Sequence, residues 1–187
     1  MPSTADGGVP STRTVTVADE HALASLARRL VTALPARAFV GLEGDLGAGK
    51  TTFVKAVAAA VGLDPAEVVS PTFGLIHVHA LPVRSPTAAA GIASADHARP
   101  TGTTPERLVH ADLYRLADSG DLAEIGWEDA TAGPCWVFVE WPSRAAEALP
   151  NDRLDITIAI DSETARTITL TPRAVSYTHL TLPTILL

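Results

Sequence analysis

Residues 44–51 read Gly-Asp-Leu-Gly-Ala-Gly-Lys-Thr, the G-x-x-x-x-G-K-T spacing of a loop that cradles phosphate. Gly44, Gly47 and Gly49 reach backbone angles closed to other residues. Successive N–H groups, that of Ala48 among them, can therefore converge on one anion at a helix N-terminus. Lys50 adds a point charge for β and γ phosphates, the Thr51 hydroxyl is placed to ligate Mg²⁺, and Thr52 follows it on the helix. A Gly-rich turn before an ordinary helix is the alternative. Glu43 and Asp45 flank the loop with negative charge. If backbone N–H groups, Lys50 and Mg²⁺ hold the phosphates, Glu43 closes the preceding strand and Asp45 is left to cap or to face a partner.

A nucleotide loop also needs an acid at the end of a second strand to hold the metal. Two acids qualify, Asp112 after "RLVHA" and Glu140 after "WVFV". Glu140 ends the more apolar run and is the metal candidate; Asp112 is left to position water or the outer shell of the ion. Lys50, Asp112 and Glu140 form the expected catalytic set. In "HADLYR", His110, Asp112 and Tyr114 fall on one side of an extended segment, as on an active-site edge and equally on a stray surface strand.

Some nucleotide chemistries lack their residues. The guanine-reading N-K-x-D occurs nowhere, and the arginines are scattered rather than gathered into the lid of a small-molecule kinase. A P-loop kinase acting on a small molecule stays as the alternative.

The elements around these residues come in the order the loop requires. "DEHALASLARRLVTAL" from Asp19 places Leu23, Leu26, Ala27, Leu30 and Val31 on one face at helical spacing. "RAFVGLEG" (37–44) predicts a buried strand running into the loop. "KTTFVKAVAAAVG" predicts a helix with Phe53, Val54, Val57 and Val61 inward and Gly62 as its stop. "GLIHVHAL", "RLVHADLYRL" and "CWVFVEW" predict further strands, with "DLAEIGWEDA" between the last two. "LDITIAI" and "ARTITLTP", joined by residues 161–164, predict a β-hairpin.

Three stretches fall outside this pattern. Residues 1–13 are rich in Pro, Ser, Thr and Gly and read as a disordered leader. Residues 82–107 have little periodicity and read as a long surface loop. Residues 174–187, "AVSYTHLTLPTILL", contain no Asp, Glu, Lys or Arg and resemble translated adapter or vector sequence, so they are expected to be a non-native tail.

At 187 residues the chain fits one domain, expected over residues 14–173, that buries roughly two-thirds of the surface its unfolded form exposes. The mean hydropathy of +0.21 reflects alanine, and no apolar run approaches the roughly 20 residues of a bilayer span. With no secretory segment at the N-terminus, a soluble cytoplasmic protein is expected. The single cysteine, Cys135, lies inside "CWVFV" and reads as a buried, inert thiol. A net charge of −7 argues against a surface that binds nucleic acid unaided, since that binding is driven by Lys and Arg.

"GDLGAGKTTF", "SPTF", "HADLYRL", "EIGWED", "VEWP" and "LP" occur in the order found in the TsaE (YjeE-type) family, which the chain resembles from about Asp19 to Leu170. The resemblance implies an α/β P-loop NTPase fold, with a central, mostly parallel sheet flanked by helices and a C-terminal β-hairpin. It implies a weak ATPase that binds ATP and Mg²⁺ and is needed for N6-threonylcarbamoyladenosine (t6A) formation at tRNA position 37. The implied partners are TsaD, which carries the transfer chemistry, and TsaB. The tRNA is met only through that complex, no membrane is involved, and the chain alone is expected as a monomer.

By position, residues 47–52 would hold the phosphates, with Thr51 and Glu140 on Mg²⁺. Ser70, Pro71, Thr72 and Phe73 would form a nucleotide-sensitive switch. Pro71 stiffens that segment and the two hydroxyls suit a γ-phosphate or its water, although a simple Ser-Pro turn is patterned alike. Trp141 would lie against the nucleotide or serve as a core tryptophan. Glu20 and Arg166 match positions that line the nucleotide in relatives. The 82–107 stretch departs from the family, whose members have a short connection there.

Overall fold

The computed structural model describes residues 12–72, 74–82, 105–118, 120–174 and 177. Seven strands make one sheet, and its centre is the strand that feeds the glycine loop. That strand, β2 (Ala38–Glu43), runs parallel to β5 (Cys135–Glu140) on one side and to β6 (Leu154–Ile160) on the other. β4 (Arg107–Asp112) continues the parallel core beside β5, and β3 (Ile76–Ala80) closes that edge antiparallel. On the opposite side β6 turns back into β7 (Arg166–Pro172), which pairs antiparallel with β1 (Arg13–Val17), giving the order β1-β7-β6-β2-β5-β4-β3. β5 is buried along its whole length and β2 all but its last residue, as expected of parallel strands covered on both faces.

Each face has its own cover. α1 (Glu20–Ala33) and α2 (Lys50–Val61) pack on the face that carries Val40, Leu42, Trp136 and Phe138. The short helices α3 (Asp121–Glu124) and α4 (Trp127–Thr131) bring Leu122 and Trp127 to the other face, against Phe39, Val109, Val137 and Val139. α1 starts where Asp19 Oδ1 accepts the Ala22 N–H at 2.8 Å, and it buries the five apolar residues that its spacing predicts. α2 ends on Gly62 in the left-handed region, φ 88°, while Val61 is only partly buried. Among the described residues no helix is long and apolar enough to cross a membrane.

The structure moves three boundaries. Arg13, assigned to the leader by composition, opens β1, a strand that pairs in register from Arg13↔Leu170 to Val17↔Arg166. Arg107, where the expected loop and the expected strand "RLVHADLYRL" overlap, opens β4, and that strand ends at Asp112. Tyr177, placed in the tail, is 2% exposed in the main core, where its hydroxyl accepts the Phe39 N–H at 3.0 Å. The rest of the expected leader (1–11), most of the expected loop (83–104) and residues 175–176 and 178–187 of the expected tail lie outside the described residues.

Candidate nucleotide-binding site

The glycine loop connects β2 to α2 and delivers the first turn of that helix, whose N–H groups have no partner inside the helix, to the C-terminal edge of the sheet. Gly44 sits at φ 149°, and a Cβ there would lie 2.4 Å from the Ile158 carbonyl oxygen, so the loop passes β6 only as glycine. Gly49 caps α2 at φ 104°, again in the left-handed region.

Lys50 is 5% exposed, and its ammonium turns back into the loop. Nζ donates to the Gly44 carbonyl at 2.7 Å and the Asp45 carbonyl at 3.0 Å, and lies 3.9 Å from the centre of the Trp141 ring. Burial pushes its pKa below the ordinary lysine value, while Glu140, Asp112, Glu43 and Asp45 oppose that shift. A buried cation facing several acids is a charge arrangement ready to exchange its partners for phosphate oxygens. Trp141 holds this position at φ 59°, ψ 50°, a strained conformation for a large side chain, with its ring 5.1 Å from that of Tyr114.

The two strand-end acids are partners in register on β4 and β5, Asp112 opposite Glu140. Glu140 Oε1 accepts from Thr51 Oγ1 at 2.7 Å and from His110 Nε2 at 2.8 Å. Asp112 Oδ2 accepts from Thr72 Oγ1 at 2.6 Å and from Ser70 Oγ at 3.3 Å, and Oδ1 accepts the Tyr114 N–H at 3.0 Å. The hydroxyls of the expected switch thus meet the acid expected to handle water. Pro71 is buried beside them, and Phe73 lies outside the described residues.

Two cavities flank the loop and share Gly47, Gly49 and Thr52. One, of about 420 Å³, is lined by Lys50, Thr51, Ser70, Thr72, Asp112, Glu140 and Trp141. The other, of about 500 Å³, lies between α1 and the β6–β7 hairpin and includes Glu20, Ala48, Ile158, Glu163 and Arg166. Arg166 Nε donates to the Ala48 carbonyl at 2.9 Å, tying the hairpin to the loop. The cavity that holds Lys50, Thr51 and the two strand-end acids is the less apolar of the two. Apart from Phe73, every residue expected at the site lines one of these cavities, except Gly44 and Pro71, which border the loop and the switch. Thr51 Oγ1, Glu140 and Asp112 offer only oxygen, the donor set of a hard cation such as Mg²⁺. Among the described residues no three His, Cys, Asp or Glu groups could hold a metal by themselves.

His110 bonds to the metal candidate; Leu46, 82% exposed at the loop tip, and Arg115 also line the phosphate-side cavity, and all three fall inside the quoted blocks "GDLGAGKTTF" and "HADLYRL" without being singled out for a role. Cys135 is fully buried and its Sγ donates to the Thr131 carbonyl at 3.3 Å, away from both cavities.

Residues 17–168 match the family model described as threonylcarbamoyl adenosine biosynthesis protein TsaE. The chain belongs to the TsaE family. It is 34% identical over 131 residues to the tRNA threonylcarbamoyladenosine biosynthesis protein TsaE of Treponema pallidum, covering 70% of this chain and 79% of that one. It is 31% identical over 159 residues to the Nostoc protein of the same name, with 83% of each covered. The crystal structure of Bacillus subtilis YdiB superposes with a TM-score of 0.62 at 25% identity, over 91% of both chains. The region matched to the TsaE family holds both cavities and every residue of the site.

Proposed function

We propose that this TsaE-family chain is a Mg²⁺-dependent ATPase subunit that supports t6A formation on tRNA in the cytoplasm, acting with TsaB and TsaD and meeting tRNA only through them. The observation that carries the reading is the 2.7 Å bond from Thr51 Oγ1 to Glu140 Oε1, which joins the phosphate loop to a strand-end acid. The names of the relatives, all tRNA threonylcarbamoyladenosine biosynthesis proteins, supply the process.

In this reading the α2 N-terminus and Lys50 bind the phosphates, with Lys50 released from the Gly44 and Asp45 carbonyls. Thr51 and Glu140 would hold Mg²⁺, which would neutralise charge on the phosphates. Ser70 and Thr72 hold Asp112 until a γ-phosphate competes for their hydroxyls. Asp112 then orients the attacking water, and Trp141 covers Lys50 against solvent. Glu20 and Arg166 border the nucleoside side. The chain is taken as a monomer when alone.

Phosphate release from ATP, measured for the chain alone and with TsaB and TsaD added, tests this directly. The reading expects slow release that rises with the partners. Phosphate appearing instead on an added alcohol acceptor would make the protein a small-molecule kinase.

A further inference from the structure

We infer that His110 is a positioning residue that presets the Glu140 carboxylate for its cation, an inference that rests on the Mg²⁺-dependent reading above. Glu140 Oε1 receives two hydrogen bonds, from Thr51 on the helix and from His110 on the neighbouring strand. A carboxylate oxygen only accepts, so the ring hydrogen in the second bond sits on Nε2. The two donors differ in kind. Thr51 is itself expected on the cation, and it stands in the first turn of α2, whereas His110 is 0% exposed within β4, clamped between β3 and β5. The strand bond is therefore in place whatever the loop does, and it sets the carboxylate before the ion arrives.

The surroundings of His110 do not explain its presence as packing. Its neighbour on the same face of β4, Leu108, is wholly buried in the apolar core, and an apolar residue at 110 would continue that pattern. Burying an imidazole carries a desolvation cost that its hydrogen bonds must offset. Here Nδ1 is buried with no protein partner among the described residues, and among them the bond to Glu140 is what offsets the cost. A half-satisfied ring retained in a core is weak as a stabilising device. As a support that orients a metal-binding carboxylate it has a purpose, and removing such supports weakens metal affinity by about 10–100-fold.

The test uses the full chain and a calorimetric titration with ATP over a series of Mg²⁺ concentrations, with circular dichroism and melting to check folding. His110→Gln keeps an N–H at the reach of Nε2; His110→Met has similar volume and no donor. His110→Met is expected to bind ATP without Mg²⁺ as the wild type does and to need about 10–100-fold more Mg²⁺ for half of the metal-dependent gain. His110→Gln should recover most of the Mg²⁺ response. If His110→Met does not fold, His110→Asn carries the same expectation, because its shorter amide does not reach Oε1. A donor-less, folded variant with a Mg²⁺ midpoint within twofold of wild type would overturn the inference. Wild-type protein that binds no ATP, or binds it without regard to Mg²⁺, would instead overturn the functional reading on which it rests.

Discussion

Thr72 Oγ1 donates to Asp112 Oδ2 at 2.6 Å, so a hydroxyl of the segment after α2 holds the acid at the end of β4. Ser70 Oγ lies 2.8 Å from Thr72 Oγ1 and 3.3 Å from the same carboxylate oxygen, making a three-member cluster at the rim of the phosphate-side cavity. The cluster is a latch between two elements that share no strand pairing. A γ-phosphate offers oxygens of the same kind as the carboxylate, and so can compete for the same hydroxyls.

Thr72→Val keeps the shape and removes the donor. Asp112 is 3% exposed and loses its shortest hydrogen bond, so the variant should be less stable by about 1 kcal/mol, or roughly 2–4 °C in melting temperature. Thr72→Ser should restore the wild-type melt. Thermal unfolding followed by circular dichroism checks both, and an unchanged melt in Thr72→Val would show that the latch holds nothing.

Tyr177→Phe addresses the segment after β7. The Phe39 N–H, at the central strand, is left without its acceptor inside the core. Such an orphaned buried group costs about 1–3 kcal/mol, which chemical denaturation would read as a lower midpoint with the same slope. Removal of residues 174–187 should cost at least as much. If the shortened chain is as stable as the whole, Tyr177 contributes nothing to the core.

Alkaline pH should separate the buried acids from the buried lysine. Burial raises the Cys135 thiol above 9.0, with Arg107 and Arg37 opposing, and raises the Tyr177 phenol above 10.0, against the Phe39 N–H. For both, the folded state keeps a proton that the unfolded chain loses, so stability falls as pH climbs through about 9 and 10. Lys50 has the opposite sign. Its folded pKa lies below 10.5, so the penalty for burying its charge shrinks as pH rises. Unfolding free energies measured from pH 8 to 11 should decline more gently in Cys135→Ala than in wild type. Equal slopes would contradict a raised thiol. The same thiol should resist alkylation at pH 8 until the protein is denatured.

Local features were legible in the sequence, and features that depend on distant pairing were not. The glycine loop, its strand and its helix are contiguous, and the spacing from Gly44 to Thr51 is itself the constraint, so residues 38–61 emerge as expected. The β6–β7 hairpin is also local. β1 had no local signal, with Arg13 assigned to the leader, because what makes Arg13–Val17 a strand is β7, some 150 residues away, with Thr14 Oγ1 3.1 Å from Thr169 Oγ1 across the pair. His110 carries a recognisable alternation with Asp112, yet its bond to Glu140 exists only because β4 lies parallel to β5 in one register. Tyr177 was hidden by composition. A segment without charges reads as foreign, and only the three-dimensional fit of one phenol against Phe39 brings it into the core.

Glu140 and Lys50 carry the central claim, and reconstituted tRNA modification tests it most directly. With TsaB, TsaD, the threonylcarbamoyl donor, tRNA and ATP present, modified adenosine at position 37 is measured by mass spectrometry. Wild-type protein should support repeated rounds of modification. Lys50→Ala and Glu140→Ala, each shown to be folded, should lower the yield by about 10²-fold or more, the scale for removing one preorganised electrostatic group. Full modification with either variant, or with this chain left out, would contradict the account.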